Sequence, residues 1–166
     1  MAARSKAAPV ALGGVMAALA TVIMALGTMV PAATYVCPML CMLILAVMYR
    51  TCGSSIAWAW YGAVAILSLL MAPDKEAATM FVFLGYYPIV KPKLDQMVMG
   101  WLWKLVLFNA SVLVMYFVLL HVFGMAQLVE EFKEMGTVLL LVTLLMGNVT
   151  FVLLDRLLKL RFRIRK

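Results

Sequence analysis

The chain has 166 residues, of which 67% are hydrophobic and 13% are charged, and its mean hydropathy is +1.08. Soluble domains keep about half of their residues apolar and about a quarter charged, so this composition excludes an ordinary water-soluble domain. A helix needs about 20 apolar residues to cross a bilayer core of roughly 30 Å. The length therefore predicts one small bundle of membrane helices.

Motifs of soluble nucleotide and hydrolase chemistry are missing from the sequence. It contains no phosphate-binding glycine loop, no dinucleotide fingerprint, no HExxH and no GxSxG pattern, and its single histidine is His121. One histidine is too few for a histidine-based metal site. We therefore expect a protein that is not an enzyme and needs no cofactor.

Six apolar runs predict the membrane path. They are residues 10–30, 32–49, 54–72, 77–90, 105–123 and 136–154. Short polar or proline-containing separators divide them, the last being the polar stretch from Gln127 to Glu134. The fourth run rises only about 21 Å, so a re-entrant segment is an alternative there. We interpret residues 1–166 as a single all-α domain, a compact bundle of six transmembrane helices.

The basic residues favour six crossings. With six, one side of the membrane receives 12 of the 14 lysines and arginines, and the other side receives only Lys75 and Lys133. Such a bias marks the cytoplasmic side, which predicts a multi-pass protein of the cell membrane with both termini cytoplasmic. The cytoplasmic side then has 12 basic and two acidic residues, and we interpret this charge as attraction to anionic lipid headgroups, with docking of an acidic partner as the alternative, rather than as a sign of nucleic acid.

Ionisable residues are missing from the middle of every predicted span. Proton relays and voltage sensors keep such groups at membrane depth, so the sequence disfavours both and indicates that any transport is driven by another subunit. Asn109 and Asn148 are polar residues near mid-depth of the fifth and sixth spans. They could bond each other across two antiparallel helices or face one pocket.

Polar residues gather on the predicted outer side, where a small-molecule substrate would enter. Asp74 is also a candidate helix cap, because Asp-x-x-Ala is a pattern typical of a helix N-terminus. Lys75 could pair with an anionic group of a substrate, and the acidic residues with a cationic one. The candidate substrate-binding residues are Tyr35, Asp74, Lys75, Glu76, Asn109, His121 and Asn148.

Cys37 and Cys41 form the one sulfur motif that points to a metal. They lie four residues apart with Met39 and Met42 beside them, and soft sulfur ligands suit Cu(I). The chain contains 15 methionines, however, and both residue types pack well in apolar cores. We therefore favour packing and predict no metal site, with copper handling as a weaker alternative.

The predicted first helix carries a stripe of small residues that would let another helix approach closely. We define this small-residue stripe as Ala7, Ala11, Gly14 and Ala18. Together with the start Arg4-Ser5-Lys6-Ala7-Ala8 and the stretch 12–19, LGGVMAAL, it resembles the substrate-binding S components of energy-coupling factor transporters. These are small six-helix membrane proteins.

The resemblance implies capture of a vitamin or a similar micronutrient from outside the cell. The pocket would be formed by helices four to six and by the loops after helices one, three and five. The partners would be a transmembrane T subunit, contacted through the small-residue stripe, and two cytoplasmic ATPases. A membrane scaffold that transports nothing, like the small rod-shape-determining membrane proteins, is the alternative function.

Overall fold

The computed structural model describes residues 7–27, 33–121 and 126–163. All of the regular secondary structure in these ranges is helical. The helices are α1 (Ala7–Leu26), α2 (Ala33–Cys52), α3 (Ser54–Met71), α4 (Lys75–Leu84), α5 (Tyr87–Leu94), α6 (Gly100–His121) and α7 (Ala126–Arg163).

Four of the described helices are long and apolar enough to cross a membrane. They are Ala7–Leu26, Thr34–Cys52, Ser54–Met71 and Gly100–His121. The chain is thus an all-α, multi-pass membrane protein. Four of the predicted runs, 10–30, 32–49, 54–72 and 105–123, overlap these helices, although residues 28–32, 122 and 123 lie outside the described ranges.

The fourth predicted run, residues 77–90, is not one helix. The structure divides it into α4 and α5, with a turn at Gly85 and Tyr86. Pro88 has no N–H to donate to the carbonyl of Leu84, and its ring crowds that carbonyl, which disfavours a continuous helix at this point. An added Cβ at Gly85 would also collide with the carbonyl oxygen of Phe81.

The polar stretch from Gln127 to Glu134, expected as a separator, belongs to α7. This helix has 38 residues and is about 57 Å long, so it also contains the whole of the sixth predicted run. Glutamate, lysine, glutamine and leucine are good helix formers, and no proline interrupts them. The expectation of a separator there was wrong, because polar residues that are good helix formers extend a helix as readily as they form a loop.

The chain folds as two compact units, Met1–Pro92 and Lys93–Lys166. In the first unit, α1 packs against α2 and α3, and α4 packs against α2 and α3. Helix α4 is covered on all sides, since every residue from Ala77 to Phe81 is buried. An apolar helix that is buried all round lies in the core, so α4 is the core element of this unit.

The second unit contains the antiparallel pair α6 and α7. The buried face of α6 repeats every three or four residues, as a helix seam does; its members are Lys104, Phe108, Val112, Met115 and Leu119. Phe108 stacks on Phe151 of α7 with ring centroids 4.6 Å apart. Gly147 makes room for this stack, because an added Cβ there would lie 3.1 Å from the Phe108 ring.

Candidate functional site

The start of α4 carries the richest polar chemistry of the first unit. We define the α4 entry cluster as Thr34, Tyr35, Asp74, Lys75 and Glu76. The first two residues begin α2, and the last three form the N-terminus of α4. These two helix starts lie at the same end of the unit. Helix α2 leads away from that end, α3 leads back to it, and α4 begins there.

Asp74 caps α4, as the Asp-x-x-Ala pattern predicted. Its Oδ1 accepts a hydrogen bond from the N–H of Ala77 at 3.1 Å. Its Oδ2 accepts a second bond from the Thr34 hydroxyl at 2.7 Å. One carboxylate therefore satisfies the helix N-terminus and also ties α2 to α4.

Lys75 acts on the end of α3. Its Nζ donates to the carbonyl oxygens of Leu69 at 2.8 Å and Ala72 at 3.0 Å. A cation is favourable at a helix C-terminus, where carbonyls lack partners inside the helix. Two of the three ammonium hydrogens are thereby committed to the α3–α4 turn, which leaves one for any substrate.

Glu76 and Tyr35 form the more accessible part of the α4 entry cluster. The Tyr35 hydroxyl donates to Glu76 Oε1 across 3.5 Å, a long and exposed hydrogen bond. Tyr35 is 46% exposed. Two carboxylates and two hydroxyls within one short region can accept hydrogen bonds from a substrate or attract a cationic group.

Asn109 and Asn148 bond to each other in the second unit. Asn109 Nδ2 donates to Asn148 Oδ1 at 3.3 Å, and Asn148 Nδ2 donates to Asn109 Oδ1 at 3.1 Å. Each amide also donates to the carbonyl four residues earlier, Leu105 or Leu144, at 2.8 Å. All four amide hydrogens are used, so the geometry favours the helix-bridging interpretation over substrate contact.

His121 ends α6 and bonds within its own helix. Its Nδ1 lies 3.1 Å from the carbonyl oxygen of Phe117, and its ring stacks on the Phe117 ring at 4.4 Å between centroids. The candidate substrate-binding residues are thus divided between the units: Tyr35, Asp74, Lys75 and Glu76 lie in the first, and Asn109, His121 and Asn148 in the second.

An ionic cluster in the second unit was missed by the sequence analysis. Lys104 is 8% exposed and forms ion pairs with Asp95 and, at 3.3 Å, with Asp155. Asp95 and Asp155 are the only two acidic residues on the predicted cytoplasmic side. Their rarity among 12 basic residues was the sequence feature that could have indicated ion pairs. The cluster ties the turn before α6 to α6 and to α7.

The cysteine motif of α2 packs into the first unit. Cys37 and Cys41 are both buried and free of disulfides, and the Cys41 thiol lies 3.6 Å from the carbonyl oxygen of Ala20 in α1. Among the described residues, no group of three histidine, cysteine or acidic side chains could hold a metal ion. The arrangement gives Cys41 a role in the contact between α1 and α2.

The small-residue stripe of α1 faces outward. Ala7, Ala11, Gly14 and Ala18 are all exposed, and a Cβ added at Gly14 would meet no atom within 4 Å. The neighbouring Gly13 is buried, and its added Cβ would lie 3.6 Å from Met48 and 4.0 Å from Ile56. Gly13 therefore serves internal packing, whereas the stripe is left uncovered.

Comparison of the chain with protein-family models, with curated proteins and with solved structures finds no match.

Proposed function

We propose that the chain is the substrate-binding membrane subunit of an energy-coupling factor transporter. In this role it captures a vitamin or a similar small micronutrient from outside the cell. A T subunit and two cytoplasmic ATPases complete the transporter and supply the energy. The proposed fold is the six-helix arrangement of these S components, with α4 and α5 together forming the fourth segment.

The observation that carries the proposal is the exposure of the small-residue stripe. Ala7, Ala11, Gly14 and Ala18 repeat along one line of α1, and the first unit leaves that line uncovered. Small side chains at such spacing allow the backbones of two membrane helices to approach closely. In our proposal, the helix that packs against the small-residue stripe belongs to the T subunit.

The charges in the described spans lie near helix ends, which is compatible with a protein that tilts in the membrane during transport. Helices α1 and α3 contain no charged residue, α2 has only Arg50 in its last turn, and the one lysine of α6 is the fifth residue, Lys104. A charge near the middle of a bilayer is costly. Tilting such helices exposes no charge at their centres.

In our proposal, substrate contacts come from the exposed side of the α4 entry cluster. Glu76 and Tyr35 are the primary contacts, because Asp74 and Lys75 already stabilise helix ends. Asp74 and Lys75 position the start of α4; Lys75 can donate one further hydrogen bond, and the Asp74 carboxylate can accept further ones. His121 stays a candidate, whereas Asn109 and Asn148 act as a tie between α6 and α7.

The test is affinity capture of the tagged full chain from its own host. The variant Gly14→Leu/Ala18→Leu places two large side chains on the stripe and should reduce recovery of the T subunit and ATPases about tenfold or more, equivalent to at least ~1.4 kcal/mol. Because Gly14 has open space around it, this variant should fold normally.

Ala8→Leu is the matched control, since Ala8 is also exposed on α1 but lies off the stripe by about a quarter turn. It should recover the partners as the unmodified chain does. Equal recovery with the stripe variant, or a loss with Ala8→Leu of the same size, would contradict the proposed interface.

A further inference from the structure

The turn between α5 and α6 exposes an unusual amount of apolar surface. We define the apolar turn as Met97, Val98, Met99, Trp101 and Trp103. Val98 is 90% exposed, Trp101 70%, Met99 67%, Trp103 51% and Met97 49%. Connections between helices are normally polar, so five large apolar side chains pointing outward at one helix start need a partner.

The backbone of this turn is closed by its own hydrogen bonds. The N–H groups of Gln96, Met97 and Gly100 donate to the carbonyls of Lys93, Leu94 and Met97 at 3.2, 3.3 and 3.0 Å. The carbonyl of Met99 accepts from the N–H of Leu102 at 2.9 Å. These bonds satisfy part of the backbone of the turn, which lowers the cost of placing it in a poorly hydrated region.

The turn is also held in a defined shape. Met99 has a φ of 62°, in the left-handed region that residues other than glycine seldom adopt. An added Cβ at Gly100 would collide with the carbonyl oxygen of Leu94. The tight closure keeps the apolar side chains outside the turn instead of allowing them to fold back on it.

Asp95, the acidic residue between the end of α5 and the apolar turn, is paired. Asp95 forms an ion pair with Lys104, which also binds Asp155 at 3.3 Å. Lys93, exposed near the end of α5, adds a positive charge next to the turn, as suits a surface that meets anionic headgroups. The turn therefore carries no unpaired negative charge toward a membrane.

The length of α6 fixes where the turn lies relative to the bilayer. This span has 22 residues and begins at Gly100, so it is about 33 Å long, close to a hydrocarbon core of roughly 30 Å. The first turn of α6 therefore lies at the boundary of the core. Trp101 and Trp103 occupy it, and tryptophan is enriched at that depth.

We propose that the apolar turn inserts into the lipid interface of the bilayer and anchors the start of α6 there. The occupant of this surface is lipid, with headgroups beside Lys93 and acyl chains around Val98 and Met99. Exposed apolar side chains continue from the turn along the α6 span, where Val106 is 52% and Phe117 is 61% exposed, and this continuity favours lipid over a second protein. This anchor is independent of the transport function proposed above.

The test is a nitroxide label at Val98→Cys in the full chain with Cys37, Cys41 and Cys52 changed to alanine, reconstituted in phosphatidylcholine vesicles. The label is exposed to two paramagnetic collision reagents: oxygen, which concentrates in the acyl region, and a charged nickel complex, which stays in water. We expect the ratio of oxygen to nickel collision rates to be several-fold higher at position 98 than at the control label Pro73→Cys, in the exposed α3–α4 turn.

Equal ratios at positions 98 and 73 would overturn the proposal and leave the turn in water. Spin–spin broadening at position 98 that increases with the protein-to-lipid ratio would also overturn it, because a second copy would then be the occupant. Met97→Cys provides a second label on the same turn, so a poor yield of one variant does not prevent the test.

Discussion

Polar side chains bond across helices in both units, but in the second unit they lie along α6 and α7, whereas in the first unit they gather at helix ends around the start of α4. Asn109 with Asn148, and Lys104 with Asp95 and Asp155, are pairs between helices whose bonds are made inside the unit. In the α4 entry cluster, Tyr35 and Glu76 meet through one long and exposed hydrogen bond. The difference separates polar pairs that tie α6 to α7 from a cluster that ties α2 to α4 and whose exposed Tyr35–Glu76 pair is the substrate contact in our proposal.

The largest effect should come from Lys104→Met in the second unit. It leaves Asp95 and Asp155 without their common cation, and breaking a partly buried ion pair in this way should lower the free energy of unfolding by about 2 kcal/mol. Asp155 has a side-chain exposure of only 23%, so water replaces the lysine poorly. Denaturant unfolding of the detergent-solubilised full chain measures the loss.

The control for this variant is Lys104→Met combined with Asp95→Asn and Asp155→Asn. Removing the charges together should recover much of the lost stability, because no uncompensated charge is left. If Lys104→Met alone unfolds at the same denaturant concentration as the unmodified chain, the ionic cluster does not hold the second unit together.

Asp74→Ala should have the next largest effect. The variant loses the helix cap on Ala77 and the bond to the Thr34 hydroxyl, for a combined loss of stability of about 1–2 kcal/mol. Thr34→Val removes only the second bond and should cost less than half as much. The thermal unfolding midpoints of the two variants separate the contribution of the helix cap from that of the bond between Asp74 and Thr34. Equal midpoints for Asp74→Ala and the unmodified chain would refute both roles.

The asparagine pair should show coupling in a double-mutant cycle. Asn109→Leu and Asn148→Leu each leave the other amide without its partner, so the two losses should not add, and the coupling energy should be about 1 kcal/mol. Unfolding of the two single variants and the double variant provides the cycle. A coupling near zero, together with loss of substrate binding in both single variants, would indicate a binding role in place of the tie.

The smallest effect on stability should come from Glu76→Gln, with a change of less than about 0.5 kcal/mol because the side chain lies in an exposed hydrogen bond. Its effect should instead be on substrate binding, which should weaken markedly. The relevant measurement is the amount of small molecule retained by the purified variant. Retention equal to that of the unmodified chain would remove Glu76 from the proposed site.

The fold could be predicted from the sequence where long apolar runs dominate. Helices α1, α2, α3 and α6 follow such runs because each needs only length and hydropathy to be recognised. The break between α4 and α5 was predictable in principle from Gly85 and Pro88, but the apolar character of the run concealed it. The helical start of α7 was not predicted, because residues 127–134 are polar and were expected to form a separator although they are good helix formers.

The candidate site was predictable where the signal is local. Asp74 was recognised as a possible cap because its partner Ala77 is three residues away. The pairing of Asn109 with Asn148 was one of two alternatives that two antiparallel spans and similar depth left open, the other being a shared pocket, and the structure shows the pair. The contacts of Lys75 with the end of α3 and of Lys104 with Asp155 depend on how helices pack, which spacing along the chain does not specify.

The measurement that tests the central claim most directly is native mass spectrometry of the intact complex captured with the full chain from its own host membranes. Our account predicts one copy of the chain with a T subunit, two ATPases and a bound small organic molecule. Recovery of the chain alone, or only with further copies of itself or with cell-envelope scaffold proteins, would contradict the account.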